Sequence, residues 1–180
     1  FTKSPTLLEL PGQMDILKNV EINDRVAEML LKQVNPIFAN ARGTQGRAQL
    51  SCKRLAIPLA GGSGEDAEIT ATAAIESLRL NSPVLNIIHQ FAGRVDSVLT
   101  LHPTTFVLDN GVLAYEKMQI DIGDIPTLFS GKLFLDNRLQ MDVTLPITLG
   151  GKVARADQQA DLITVPFKGT VDKPELDLGR

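Results

Sequence analysis

The chain of 180 residues has no tryptophan, one tyrosine and one cysteine, and aromatic residues make up only 4% of it. Modules that read single-stranded nucleic acid stack bases on aromatic side chains, so this poverty argues against them. There is no basic excess either. Lys and Arg total 18 against 21 Asp and Glu, a net charge of −3, and no stretch is densely basic. A protein that grips a phosphate backbone needs the opposite balance, so no nucleic-acid partner is expected. Cys52 has no partner for an internal disulfide. Its strand-like setting reads as a small buried hydrophobe rather than a reactive thiol. A cysteine-poor chain suits the cytosol or the periplasm equally. No apolar run approaches the ~18 residues that cross a bilayer, and no signal peptide is visible. The chain starts at Phe1 rather than Met and both begins and ends in strand-like text, so it reads as a segment of a longer protein.

Residues that could carry chemistry are equally sparse. His89 falls on the side of its helix away from the apolar stripe and reads as solvated. His102 precedes Pro103 at a strand end and reads as structural. The two lack metal-ligand spacing and no cysteine joins them. Asp121 and Asp124 flank Gly123 as turn formers, with too few oxygen ligands in register for calcium. Gly61–Gly64 is followed by Glu65 and Asp66 and lacks the lysine of a phosphate loop, so it reads as a hairpin tip. No nucleophile elbow is present. The expectation is no catalytic residue, no metal site and no cofactor.

What the chain does have is alternation. From Phe106 to Ile147 it reads as strands joined by tight turns. Asp109-Asn110-Gly111 supplies residues that tolerate positive φ in a two-residue hairpin. On the next segment Val112, Ala114, Met118, Ile120 and Ile122 are expected on one face, with Tyr115, Lys117, Gln119 and Asp121 on the other. Phe129, Leu133 and Leu135 follow, with Phe134 out of phase. After Asp136-Asn137-Arg138, the residues Leu139, Met141, Val143, Leu145 and Ile147 alternate against Gln140, Asp142 and Thr144. Side chains on a strand alternate between faces, so this is an antiparallel sheet with one apolar surface.

Upstream, residues 6–22 read as one or two strands with a turn at Pro11-Gly12. Asn23 or Asp24 can cap a helix over 24–40 with the stripe Val26, Met29, Leu30, Val34, Ile37 and Phe38. Pro36 should kink or close it. A strand over 47–59 and its return over 67–80 each shift apolar parity, which suggests bulges. Ser82-Pro83 starts a second helix with the stripe Val84, Ile87, Ile88 and Phe91, and Gly93 can stop it. Residues 150–160 are polar and read as a loop. A strand over 162–171 and a short one over 175–178 close the chain. The order strand, capped helix, Gly-Arg, strand occurs twice, at 20–47 and 78–94, a faint echo of duplication. Both helices are expected to pack on the sheet. The polar side of the first is mixed in charge (Arg25, Glu28, Lys32), whereas membrane-surface helices are usually basic there.

Several phrases, taken in order, resemble the AsmA-like superfamily of bacterial envelope proteins. They are Val34-Asn35-Pro36-Ile37-Phe38 with Gly46-Arg47-Ala48, Leu55 to Leu59, Phe106 to Gly111 with Ala114-Tyr115, Asp124-Ile125-Pro126, Val143 to Ile147, and Val165 to Thr170 with Asp172-Lys173-Pro174. The resemblance covers about residue 24 to the end. It implies a C-terminal β-groove region, phospholipid or another acyl-chain ligand, periplasmic location with an inner-membrane anchor outside this sequence, and neighbouring β-segments of the parent chain as partners. It supplies no catalytic residues.

The expected architecture is a single α+β domain over residues 1–180: a curved, mostly antiparallel, groove-like sheet with two amphipathic helices. The expected groove lining is Met118, Ile120, Phe129, Leu133, Met141 and Val143, the longest regular apolar ladder. The alternative is a docking module whose apolar face is filled by its own helices.

Overall fold

The computed structural model describes residues 6–10, 12–60, 63–92, 98–147 and 161–177. Among these residues ten strands form one antiparallel, open sheet. In chain order they are β1 (Thr6–Glu9), β2 (Met14–Ile22), β3 (Arg42–Ala60), β4 (Glu68–Asn81), β5 (Val98–Asp109), β6 (Val112–Ile122), β7 (Ile125–Phe134), β8 (Arg138–Ile147), β9 (Asp161–Thr170) and β10 (Lys173–Leu176). Each strand pairs with its neighbours in sequence. The one departure is that β1 and β2 both lie along β3, β1 on its second half and β2 on its first. They are one edge strand interrupted around Leu10, whose N–H still donates to Leu55.

Turn chemistry sets the hairpins. Asn110 and Gly111 adopt φ of 48° and 72°, the left-handed values that a two-residue hairpin demands and that Asn and Gly accept cheaply, and Asn137, at 68°, takes the left-handed position of the three-residue loop between β7 and β8. Bulges then adjust which side chains face inward. Between β6 and β7 the register runs from Tyr115↔Gly131 to Met118↔Phe129, so one residue of β6 is extra at Glu116-Lys117. This corrects the expected facing of β6. Tyr115 shares the buried face with Met118, Ile120 and Ile122, while Val112 and Ala114 turn to the other side. The shifts expected in the strands over 47–59 and 67–80 are found, with extra residues near Lys53 and at Glu76-Ser77.

The expected helix over 24–40 is three short pieces. The α-helix α1 (Asp24–Met29) is capped by Asn23, whose side chain accepts from the Val26 N–H. Single 3₁₀ turns follow at Leu31–Gln33 and Pro36–Phe38. The break has a local cause. A residue before proline is pushed out of the helical region, and Asn35 is extended and caps Ile37 with its own side chain. Pro36 therefore opens a new turn instead of closing an old helix. Met29 and Leu30 drop out of the buried stripe and face solvent.

The second helix, α2 (Pro83–Ala92), starts where expected, with the Ser82 hydroxyl accepting from the Leu85 N–H, but Leu85 is buried more fully than Ile87 of the expected stripe. It buries Val84, Leu85 and Ile88 in the same core as the sheet's inner face. The loop expected over 150–160 and the Gly93-Arg94 exit of the second helix lie outside the described residues, as does part of the 61–64 hairpin tip; the first Gly-Arg of the duplicated pattern, Gly46-Arg47, lies inside β3 rather than at a helix exit.

Candidate apolar site

Residues 23–41 leave the sheet at the end of β2, run across its inner face and return to start β3. This strap roofs the apolar ladder. Its centre is held by a buried polar contact: the Asn35 amide donates to Tyr115 Oη at 3.2 Å and approaches Met118 Sδ at 3.3 Å. Tyr115 Oη in turn points at Met141 Sδ, 3.7 Å away. Burial pushes the Tyr115 hydroxyl well above its ordinary range, so it stays neutral and available as a donor. The far side of the strap reaches the β9–β10 turn. Lys32 Nζ lies 3.3 Å from Asp172 and 2.6 Å from Glu28, and Asn40 donates to the Asp172 carbonyl at 3.2 Å. The hydrogen bond to Glu28 is the main cause of the raised Lys32 pKa. The sheet curls enough to bring its last hairpin to a segment that starts from its first edge.

The structure brings the six expected lining residues together. Met118, Ile120, Phe129, Leu133, Met141 and Val143 occupy adjacent positions on one face, paired as Met118↔Phe129 and Phe129↔Val143. None is more than 3% exposed. As an open lining they are corrected: they form the core beneath the strap, sealed by the chain's own side chains. Leu135, which alternation placed with them, is exposed.

The open apolar space lies elsewhere, where the strap meets β2–β5. A cavity of about 160 Å³ is walled by Leu17, Val20 and Ile22 of β2, by Val26, Leu30, Leu31, Val34 and Phe38 of the strap, and by Ala48, Leu50, Ala73, Ile75, Leu101 and Phe106 of the sheet floor. Among the described residues, Gln49 is the single polar one at its wall. Two small residues in the floor, Ala48 and Ala73, leave room beneath a strap broken into short turns. Its mouth is at the sheet edge, where Val20 is 39% and Leu30 58% exposed. Sequence reasoning missed this site. The available signal was the small residues Ala48 and Ala73 among larger apolar neighbours on facing strands.

Among the described residues, the histidines lie away from this cavity. His102 is not at a strand end but at a bulge within β5, on the opposite side of the sheet. Its Nε2 lies 2.6 Å from Asp121 Oδ2, and the Gln119 amide donates to Asp121 Oδ1 at 2.8 Å. The trio clamps β5 to β6 across the stretch between Leu101↔Ile120 and Val107↔Ala114. His89 is half-buried rather than solvated. Its Nε2 is enclosed without a partner among the described residues, and desolvation lowers its pKa below the ordinary 6.5. Among the described residues no cluster of His, Cys, Asp and Glu is arranged to hold a metal. No described helix is long and apolar enough to cross a membrane. Searches of protein families, curated proteins and solved structures give no match to this chain.

Proposed function

We propose that this domain is a non-enzymatic cell-envelope module of the AsmA-like kind. In this reading it serves phospholipid transport or outer-membrane assembly in the periplasm, anchored through an inner-membrane segment elsewhere in its parent protein. Its ligand is an acyl chain, and its apolar groove is the cavity under the strap rather than the sealed ladder. The observation that carries the reading is that cavity: a space walled almost wholly by aliphatic side chains and open at one sheet edge. Engineered apolar cavities of about 150 Å³ stay dry and take up a ligand the size of benzene. The space under the strap therefore suits the end of an alkyl chain. Each methylene it shelters contributes about 0.8 kcal/mol, while association itself costs roughly 4–15 kcal/mol. A short segment held this way is bound weakly, as a carrier requires.

The test is equilibrium binding of a fluorescent dodecanoate, with the cavity filled by Ala73→Leu as the comparison. Saturable binding that falls at least tenfold in the filled variant, with thermal stability kept, supports the reading. No binding by the parent chain, or binding indifferent to the filling, removes it.

A second reading has its own observation. The ladder is filled by the strap and α2, as a docking module would be. Strand β9 pairs with β8 over ten residues without a bulge, and β10 covers only Phe167–Thr170 of it. Along Asp161–Val165 no further strand pairs among the described residues, and Leu162 is 68% exposed. A regular edge of this kind accepts an added strand, here a neighbouring β-segment of the parent chain. Absence of any lipid in native mass spectra, with retained pairing to that segment, would favour this reading.

A further inference from the structure

The mouth of the cavity is flanked by large apolar side chains that the chain leaves in solvent. Met14 is 45% exposed and Met29 61%. Neither lines the cavity. Val20 and Leu30 belong to both wall and rim. Met14, Leu17 and Val20 lie on the inner face of β2, shown by their pairing with Cys52, Leu50 and Ala48. They form a row along the first edge of the sheet, and Met29 and Leu30 follow from the end of α1. We propose that this rim docks on the surface of a lipid bilayer. The inference rests on the alkyl-binding reading above and names where the chain comes from.

Three features select a bilayer over other occupants. The cavity is the first. At about 160 Å³ it can hold only part of one acyl chain, so the remainder must stay in apolar surroundings while the end enters. That requires the mouth to sit against the source. The edge is the second. Strand β2 carries two register shifts, between Asp15 and Leu17 and between Leu17 and Val20, within nine residues, and Asn19 sits at φ 53°. Bulges of this density spoil an edge for strand addition, so a partner's β-strand cannot lie along it in register. A fluid lipid surface needs no register. The shape is the third. Met29 and Leu30 end a six-residue helix and project from the strap, whereas a helix-binding site would be a groove. Methionine, flexible and polarizable, suits an irregular apolar medium.

The experiment is flotation with phosphatidylcholine vesicles, comparing the parent chain with the double variant Met14→Asp/Met29→Asp. The parent chain should rise with the vesicles and the variant should lose at least tenfold of that association. Uptake of benzene in free solution should stay within twofold, because a ligand of that size fits inside the cavity and neither residue lines it. The milder Met14→Gln/Met29→Gln should fall between, which guards against a folding defect in the charged variant. The proposal is overturned if the parent chain stays off the vesicles or if the charged variant floats equally well. It is overturned too if the substitutions instead dissolve a concentration-dependent dimer in gel filtration, since a second copy would then be the occupant. A parent chain that floats but takes no dodecanoate separates the two ideas. Bilayer docking would stand and alkyl binding would fall.

Discussion

The Asn35 side chain reaches across the core to the Tyr115 hydroxyl at 3.2 Å, with both residues nearly solvent-free. Its own carbonyl oxygen accepts from the Ile37 N–H at 2.9 Å. One buried amide thus shapes the strap and ties it to the sheet. Buried polar groups are costly when one partner is removed. Tyr115→Phe should lower stability by about 1–2 kcal/mol, and Asn35→Ala by about 2–3 kcal/mol because it also removes a cap. Denaturant midpoints check both. Equal losses from the two would mean that the capping half of the contact contributes nothing.

The ladder and the rim should respond oppositely to truncation. Met118→Ala or Phe129→Ala empties fully buried space and should cost about 2–5 kcal/mol. Met29→Ala, largely in water, should change stability by less than about 0.5 kcal/mol. Thermal melts of the three variants decide it. A mild Met118→Ala would mean the ladder is looser than its burial indicates.

Gly131 faces the core at φ 149°, and a Cβ there would meet the Gln140 carbonyl and lie 2.7 Å from Met141 Cα. The obstacle is the backbone of β8, which cannot rotate aside. Gly131→Ala should therefore force β7 and β8 apart and cost roughly 1–3 kcal/mol or more. Hydrogen exchange should show the loss first at β7–β8 amides. Uniform loss across the sheet would contradict a local wedge.

His89 gives a pH dependence whose sign follows from its burial. Desolvation holds the folded-state pKa below the ordinary 6.5, so the folded chain keeps this ring neutral while the unfolded chain protonates it. Its contribution to stability is complete above about pH 6.5 and declines as pH falls from there through the folded value. Asp24, its carboxylate held down chiefly by the Thr44 N–H, adds a loss only below its ordinary 3.8. Replacing His89 with Gln should flatten melting temperature against pH between about 5 and 7. An unchanged slope would place the titration elsewhere.

Turn positions and the start of α2 were legible because each rests on a local rule. Asn110-Gly111 demands a tight hairpin, and Ser82-Pro83 starts a helix whichever sheet it packs on. The inner ladder of β7 and β8 was legible from strict alternation at Phe129, Leu133, Leu139, Met141 and Val143. The facing of Tyr115 was not, because a bulge at Glu116-Lys117 is indistinguishable in sequence from a polar pair in a regular strand. The covering of the ladder was also hidden. Alternation tells which side is apolar but says nothing of what lies over it, and the strap's path depends on contacts as remote as Asn40 with Asp172. The Asn35-Pro36 pair held the missing clue, as cap followed by first-turn proline, but it was overruled by the apolar spacing on either side.

Strand order follows chain order from β3 to β10. A chain laid out this way can condense hairpin by hairpin as it emerges from a pore, each new strand finding its mate already in place, with little loop-closure entropy to overcome. Only the excursion over residues 23–41 must wait, since Tyr115, Met118 and Asp172 arrive long after it. That segment should be the last to settle, and the chain can be lengthened at the β10 side without disturbing anything already built.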